Sequence, residues 1–220
     1  MSKTVHLSLP VTEDQVRDLD IGDIVFLSGK VFTCRDQGHR RMLEYFKNGN
    51  SFPIDFSQYA MWHCGPIVDK DENGDWKLIV AGSTTSSRFS DKEPAVLKNT
   101  GLRVIIGKGI MYEGVVRAMQ EKGAVMLNAT GGCAALYGEA VTRIADVFWM
   151  DLGLPEAMWC FDISEMGPLI VGIDAKGNSI IQNTRSNSEA EFERAYAQMG
   201  LDPGHYYIIH PEHIIGTPWE

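Results

Sequence analysis

Residues 102–129 read LRVIIGKGIMYEGVVRAMQEKGAVMLNA. LRVIIG and AVMLNA are short apolar runs, and MYEGVVRAMQEKG between them carries a helical pattern. Short apolar strands separated by a helix are the repeating unit of α/β folds. The alternation continues on both sides of this segment. KEPAVLKNTG (92–101) and GGCAALYGEAV (131–141) read as helices, while RIADVFWMD (143–151) and AMWCFDISEM (157–166) read as strands followed by PLIVGID (168–174). An α/β fold is therefore expected.

The amino-terminal third fits the same plan. VHLSL (5–9) reads as a strand, and VTEDQVRDLDIGD (11–23) as a short helix or turn. IVFLSGKVFTC (24–34) is dense in Val, Ile and Phe and predicts two strand pieces broken at Gly29. DQGHRRMLEYFKNG (36–49) has Met42, Leu43 and Phe46 at helical spacing and a glycine stop at Gly49. A strand is expected around Met61–Cys64, and DKDENGD (69–75) is a turn leading into the strand WKLIVAG (76–82). SEAEFERAYAQMG (188–200) is an amphipathic helix, and residues 201–220 show no period.

With 220 residues and no internal repeat or linker, one domain over 1–220 is expected, its motifs within about 20–180 and a helix and tail over 188–220. Apolar residues at 44% and charged residues at 22% suit a globular chain that buries a core. No run is long enough for a spanning helix. The first residues lack a signal-peptide pattern, so a cytoplasmic location is expected. The net charge of −9 argues against nucleic acid and anionic membrane as partners. Any site for an anion must then gather its positive charge locally. The four cysteines, Cys34, Cys64, Cys133 and Cys160, are widely spaced with no CxxC, and are expected as reduced thiols. His205, His210 and His213 match no common zinc spacing. Cys34 adjoins Arg35, but no base is adjacent to it in sequence.

Three stretches share one plan: an apolar run, a small residue, then a cationic or hydroxyl cluster. They are FTCRDQGHRR (32–41), AGSTTSSRF (81–89) and IIGKGIMYEG (105–114). In α/β folds ligands gather at the carboxyl ends of strands, where helix N-termini present free N–H groups. Arg35, Arg88 and Lys108 are the candidate cations, and an arginine fork suits a carboxylate. Asp36 reads equally as a helix cap or as a catalytic acid. His39 follows one turn later as a half-exposed helical residue, structural or catalytic. GKGIMYEG lacks the glycine spacing of a dinucleotide fingerprint, and no P-loop pattern occurs.

The motifs LSGKVFTCRDQGHRRM, HCGPIV, AGSTTSSR, IIGKG, GGCAAL, DLGLPEAMW and GPLIVGIDAKGNS occur in this order across most of the chain. Together they resemble the β subunit of iron–sulfur-dependent fumarate and L-tartrate dehydratases, equivalent to the C-terminal domain of class I fumarases. The resemblance implies a swivelling β/β/α domain. It implies a partner α subunit whose own cysteines hold a [4Fe–4S] cluster, with none bound by this chain, in a heterotetramer of two α and two β chains. The implied reaction is reversible dehydration of a four-carbon hydroxy diacid, L-tartrate to oxaloacetate or malate to fumarate. The open iron of the cluster would act as Lewis acid on the substrate hydroxyl. Carried over by position, Arg35, Arg88 and Lys108 bind substrate, Ser86 adds a hydrogen bond, and Thr84 abstracts the proton. Asp36 and His39 are the next candidates for that base.

The chain departs from the family pattern at two places. Gly82-Ser83-Thr84-Thr85 stands where the family commonly has Gly-Pro-Thr-Thr, and Arg88-Phe89 where it has Arg-Met. Loss of the proline bears on the rigidity of the loop and leaves its reactive groups in place. HCGP and CRDQGHRR are closer to the tartrate branch, where His63 could bond the additional substrate hydroxyl or serve as a core residue. The alternative from another class is a non-catalytic dicarboxylate-binding or regulatory module that keeps the fold.

Overall fold

Strands β1 (Thr4–Ser8) and β2 (Ile24–Thr33) run parallel, joined through the short helix α1 (Glu13–Arg17). The computed structural model describes residues 2–201. Thr12 and Gln15 start α1 with a reciprocal capping box, satisfying two N–H groups that a helix start leaves open. Helix α2 (Asp36–Asn48) follows β2 and stops at Gly49, which takes the left-handed conformation that glycine adopts without a Cβ penalty. Next come β3 (Tyr59–Trp62), the antiparallel hairpin of β4 (Ile67–Lys70) and β5 (Trp76–Val80), and α3 (Glu93–Asn99). The segment that opened the sequence reading becomes β6 (Val104–Gly107), α4 (Glu113–Lys122) and β7 (Val125–Asn128). A short α5 (Ala134–Glu139), β8 (Val141–Phe148) and β9 (Met158–Ile173) complete the body.

The main sheet has the order β1-β2-β3-β6-β7-β9-β8, and β9 pairs with β2 as well. That second pairing closes β2, β3, β6, β7 and β9 into a ring, giving a barrel-like core. Of the ring strands, β3, β6 and β7 are almost wholly buried, so VIIG and VML read in sequence as continuous apolar runs. Alternate residues serve two clusters. Val31, Trp62, Val104, Ile106, Val125 and Leu127 belong to one cluster with Val16 of α1. Phe32, Met61, Ile105 and Met126 pack on the other face against Met42 of α2, Leu97 of α3 and Met119 of α4.

β2, β3, β6 and β7 are parallel, with Thr33 beside Trp62, Trp62 beside Ile106, and Gly107 beside Asn128. Their carboxyl ends therefore reach one rim within a residue or so of each other. Arg35, His63, Lys108 and Thr130 lie just beyond it.

Three expectations need correction. Gly29 does not break β2; the strand runs through it with a register shift against β9, and the positive φ of 117° is what a bulge glycine supplies. AMWCFDISEM and PLIVGID are one strand, because Pro168 falls where β9 shifts register against β2. The hydroxyl-rich stretch follows β5, a strand of the separate hairpin and not of the main sheet.

Residues 1–180 form one compact unit and the chain from 181 a second. Helix α6 (Ile180–Met199) runs through the described part of the second, starting earlier than the helix expected at 188–200. The tail, with His205, His210 and His213, lies outside the described residues. No described helix is long and apolar enough to cross a membrane.

A Cβ on Gly29 would lie 2.8 Å from Leu9 Cβ and 3.1 Å from the Leu9 backbone N and O. Gly29→Ala combines that clash with an unfavourable φ, and should cost about 2–4 kcal/mol. The expected result is a lower urea midpoint at an unchanged slope; an unchanged midpoint would mean that the bulge relaxes freely.

Candidate active site

Arg35 occupies the N-cap position of α2 with an extended backbone. Its guanidinium lies against Gly65, where a Cβ would come within 2.3 Å of Nη1. Only glycine leaves this room, which gives a physical reason for Gly65 in HCGP. Arg35 Nε is buried 3.5 Å from Glu156 Oε1 and makes no hydrogen bond. Arg88 donates from Nη2 to Asp36 Oδ2 at 2.5 Å, and its guanidinium sits over the Phe89 ring. Asp36 is therefore not the helix cap: it is the first residue of α2 and holds Arg88. Lys108 is half-buried, its stem reaching toward Gly131, and Nζ makes no hydrogen bond or ion pair among the described residues.

The hydroxyl run crosses from β5 to this rim and is tied to it repeatedly. Ser83 pairs with Cys64, and its Oγ accepts the Trp62 indole N–H at 2.8 Å. The Thr84 amide donates to the His63 carbonyl at 2.7 Å. Thr85 pairs with Lys108, and the chain then makes a 3-10 turn over Ser86–Phe89. The Thr84 side chain is half-buried, and its hydroxyl makes no hydrogen bond among the described residues. A pocket of about 220 Å³ adjoins the run, with Gly65, Gly82, Ser83, Thr130 and Gly132 in its wall.

Behind the rim lies a buried polar group that sequence reasoning missed. Glu93, the first residue of α3, is fully buried, as are His39 and His63. Its Oε2 is 2.9 Å from His39 Nε2 and 3.2 Å from His63 Nε2. His39 Nδ1 lies 2.7 Å from the Arg35 carbonyl and 3.3 Å from Cys34 Sγ. His63 Nδ1 is 2.9 Å from Ser86 Oγ, which accepts the Lys108 amide at 3.0 Å. The Phe89 ring stacks on His39 at 4.5 Å and meets His63 edge-on at 4.6 Å. His39 is thus a buried group and not the half-exposed residue expected. Of the candidates, Arg35, Asp36, Thr84, Arg88 and Lys108 are accessible, while His39, His63 and Ser86 stand behind them out of solvent.

Burial alone would raise the Glu93 carboxyl, but His39 and then His63 outweigh it and hold it down at about 2. Burial likewise disfavours the His39 cation, and facing negative charge outweighs it, so His39 titrates well above its ordinary range. Glu93 supplies that charge, since Cys34 acts only as a thiolate and its own burial pushes the thiol up. Burial pushes His63 down, leaving it neutral. Glu93 carried no motif signal. It reads as an ordinary acid in the first turn of a helix, and only the fold brings α2 and the end of β3 against it.

Among the described residues, His39, His63 and Glu93 are the one grouping whose donor atoms lie close enough together for a metal, and they already bond each other. No cysteine belongs to it, and three of the four thiols are buried apart. Among the described residues no grouping offers the set of thiolates that an iron–sulfur cluster needs.

Comparison with known proteins adds a family. The profile described as Fumarase C-terminus matches residues 1–184. A Methanocaldococcus jannaschii protein named "Putative L(+)-tartrate dehydratase subunit beta" is 40% identical over 87% of this chain and 96% of its own length. The Escherichia coli protein named L(+)-tartrate dehydratase subunit beta is 37% identical over 81% of this chain and 87% of its own. A Geobacillus stearothermophilus protein named "Putative fumarate hydratase class I" is 34% identical over 84% of this chain, which spans 35% of that longer protein.

Glu93→Gln should destabilise the full chain by about 3–5 kcal/mol at pH 7, because it leaves a buried cation uncompensated. The sign with pH follows from a folded value near 2 against 4.5 for the free carboxyl. The contribution is complete above 4.5 and is lost as pH falls toward 2. Urea midpoints of the two proteins should converge over that range; a constant gap would show that the charge of Glu93 is not what stabilises the fold.

Proposed function

The chain belongs to the fumarase C-terminus family, and from that premise we propose that it is the β subunit of a hydro-lyase acting on a four-carbon hydroxy diacid, L-tartrate or malate. One observation carries the reading. In a chain of net charge −9, Arg35 Nε and Lys108 Nζ sit at the rim without hydrogen bonds, beside Arg88 and a free threonine hydroxyl. Asp36 and Glu156 each meet one arginine, and Lys108 has no carboxylate partner among the described residues, so a rim that gathers three cations against two carboxylates suits an anionic ligand.

In this reading Arg35, Arg88 and Lys108 clamp the substrate carboxylate, with Asp36 and Glu156 orienting the two guanidiniums from behind. Thr84, as an alkoxide whose own proton has passed to solvent, takes the proton from the carbon next to the one that loses the hydroxyl and returns to the hydroxyl form. An alkoxide is far too basic to form freely near neutral pH; the three cations lower its cost. Ser86 and His63 hold the loop from inside. The partner is an α subunit holding a [4Fe–4S] cluster, in an assembly of two α and two β chains in the cytoplasm. When bound there, the cluster supplies a Lewis acid for the departing hydroxyl. This chain serves as one functional domain of the swivelling β/β/α class, with no nucleic-acid or membrane partner.

Anaerobic co-expression with the α subunit and assay on a panel of hydroxy diacids tests the reading; a complex inert to the whole panel would favour a non-catalytic binding module. In the active complex, Arg88→Lys keeps the charge and loses the fork, and should cost about 2–5 kcal/mol of transition-state stabilisation in kcat/KM. Turnover near that of the unmodified enzyme would make Arg88 a surface group.

Thr84→Ala should lower turnover by roughly 10²–10⁴-fold, the usual contribution of a positioned acid–base group. Thr84→Ser should keep more activity. Exchange of the substrate C–H proton with solvent should fall in parallel with turnover; exchange at the unmodified rate would move the base to another residue.

A further inference from the structure

We infer that Glu93 is a positioning residue: a single buried carboxylate that, through His39 and His63, holds the backbones of Arg35, Thr84 and Lys108 in one arrangement. The inference rests on the reading of those three as the groups that handle substrate. It makes the active rim depend on a residue that never touches it.

With Glu93 ionised, the hydrogen placement follows from the partners. The Arg35 carbonyl can only accept, so His39 Nδ1 carries a hydrogen. The Glu93 carboxylate accepts from His39 Nε2, so that nitrogen carries one too, and His39 is an imidazolium. His63 donates Nε2–H to the same oxygen, which leaves Nδ1 as acceptor for the Ser86 hydroxyl. Ser86 Oγ, having donated, accepts the Lys108 amide, and the Ser86 amide donates to the Lys108 carbonyl. The His63 carbonyl receives the Thr84 amide. Every bond from Glu93 outward thus has a fixed direction, and the chain ends on three different loops.

The surroundings fit a device for position. Gly107 admits it, because a Cβ there would sit 2.2 Å from Ser86 Oγ and 3.1 Å from His63 Nδ1. Phe89 covers both imidazoles and also lies beneath Arg88. A buried ion pair is weak evidence for stability, since apolar residues of like volume often serve as well or better. Glu93 Oε1 is moreover buried without a hydrogen bond, a cost that packing alone does not explain. Departures of this kind collect at functional sites. The titratable groups around Glu93 are His39 from α2, His63 beyond β3, Cys34 against His39, and Asp91 two residues back along the chain.

Amide hydrogen exchange on the full chain tests the inference without any assay of activity. Glu93→Asp keeps the charge but withdraws it by one methylene, and Glu93→Gln keeps the length without the charge. In either variant the amides of Thr84, Ser86 and Lys108 should exchange faster by at least tenfold more than those of Ile105, Ile106 and Leu127, which follow only the loss of global stability. Uniform acceleration, or none, overturns the inference. Imidazole NMR of the unmodified protein should find both nitrogens of His39 protonated above the ordinary imidazole range and only Nε2 of His63 protonated; a neutral His39 overturns it even if Glu93→Gln does not fold. In the complex with the α subunit, kcat per folded molecule of Glu93→Asp should fall at least tenfold with a smaller change in KM, and a purely structural role would leave that kcat intact. Were the unmodified complex inert to diacids, the functional reading would fail while exchange and NMR still decided the role of Glu93.

Discussion

The antiparallel pairing of β9 with both β2 and β7 is the constraint from which the rest of the molecule follows. β9 lies along β2 from Cys160 to Ile170 and meets β7 beyond that, closing a sheet that would otherwise stay open. Closure leaves no free edge on the ring strands, and it fixes how far each can slide. A slip of one residue would exchange Phe32, Met61, Ile105 and Met126 with the residues of the other cluster, moving both faces of the core at once. The apolar alternation therefore sets the register, and the register sets where β2, β3, β6 and β7 end. The positions of Arg35, His63 and Lys108 are by-products of core packing.

Electrostatics then act within that frame. Asp36 and Glu156 reach the two arginines without burying them: the Arg88 side chain stays 43% exposed and the Arg35 side chain 25%. Exposed pairs of this kind contribute little to stability. Their effect is to fix where the guanidiniums lie. Lys108 has no such partner among the described residues, so the rim keeps positive charge within an acidic protein. Below it, the Glu93–His39 pair is dry and nearly neutral as a unit, and adds order without cancelling that charge.

The sequence carried most of the fold because the signals were local. Alternating runs such as VIIG and VMLN, the glycine stop at Gly49 and the turn at 69–75 each reflect a few neighbouring residues. Gly29 and Pro168 misled for a shared reason: each sits at a register irregularity, and a neighbouring strand decides whether the strand continues there. The rim cations were legible because Arg35 and Lys108 directly follow apolar runs. Glu93 was not, since its role comes from contacts with residues 54 and 30 positions away in sequence. His39 was misjudged similarly, because the helical pattern of α2 does not reveal that Phe89 and α3 cover that turn.

The Ser83 position shows how such contacts can replace a local rule. Where the family pattern resembled by the sequence has a proline, this chain has a serine, and the loop loses a backbone constraint. Thr84 arrives at the rim from the β4–β5 hairpin, outside the main sheet, so no strand pairing of the main sheet holds it. The serine hydroxyl accepts the indole N–H of Trp62, a bond that proline cannot make, and its backbone bridges Cys64. The next residues add the Thr84–His63 bond, the bridge from Thr85 to Lys108 and the paired bonds of Ser86. Each tie joins the loop to the end of a ring strand, β3 or β6. The rigidity that a proline would give by restricting one φ is supplied here by cross-links to the two strands that also carry His63 and Lys108. In this chain, holding the loop and aligning the site are therefore the same set of hydrogen bonds.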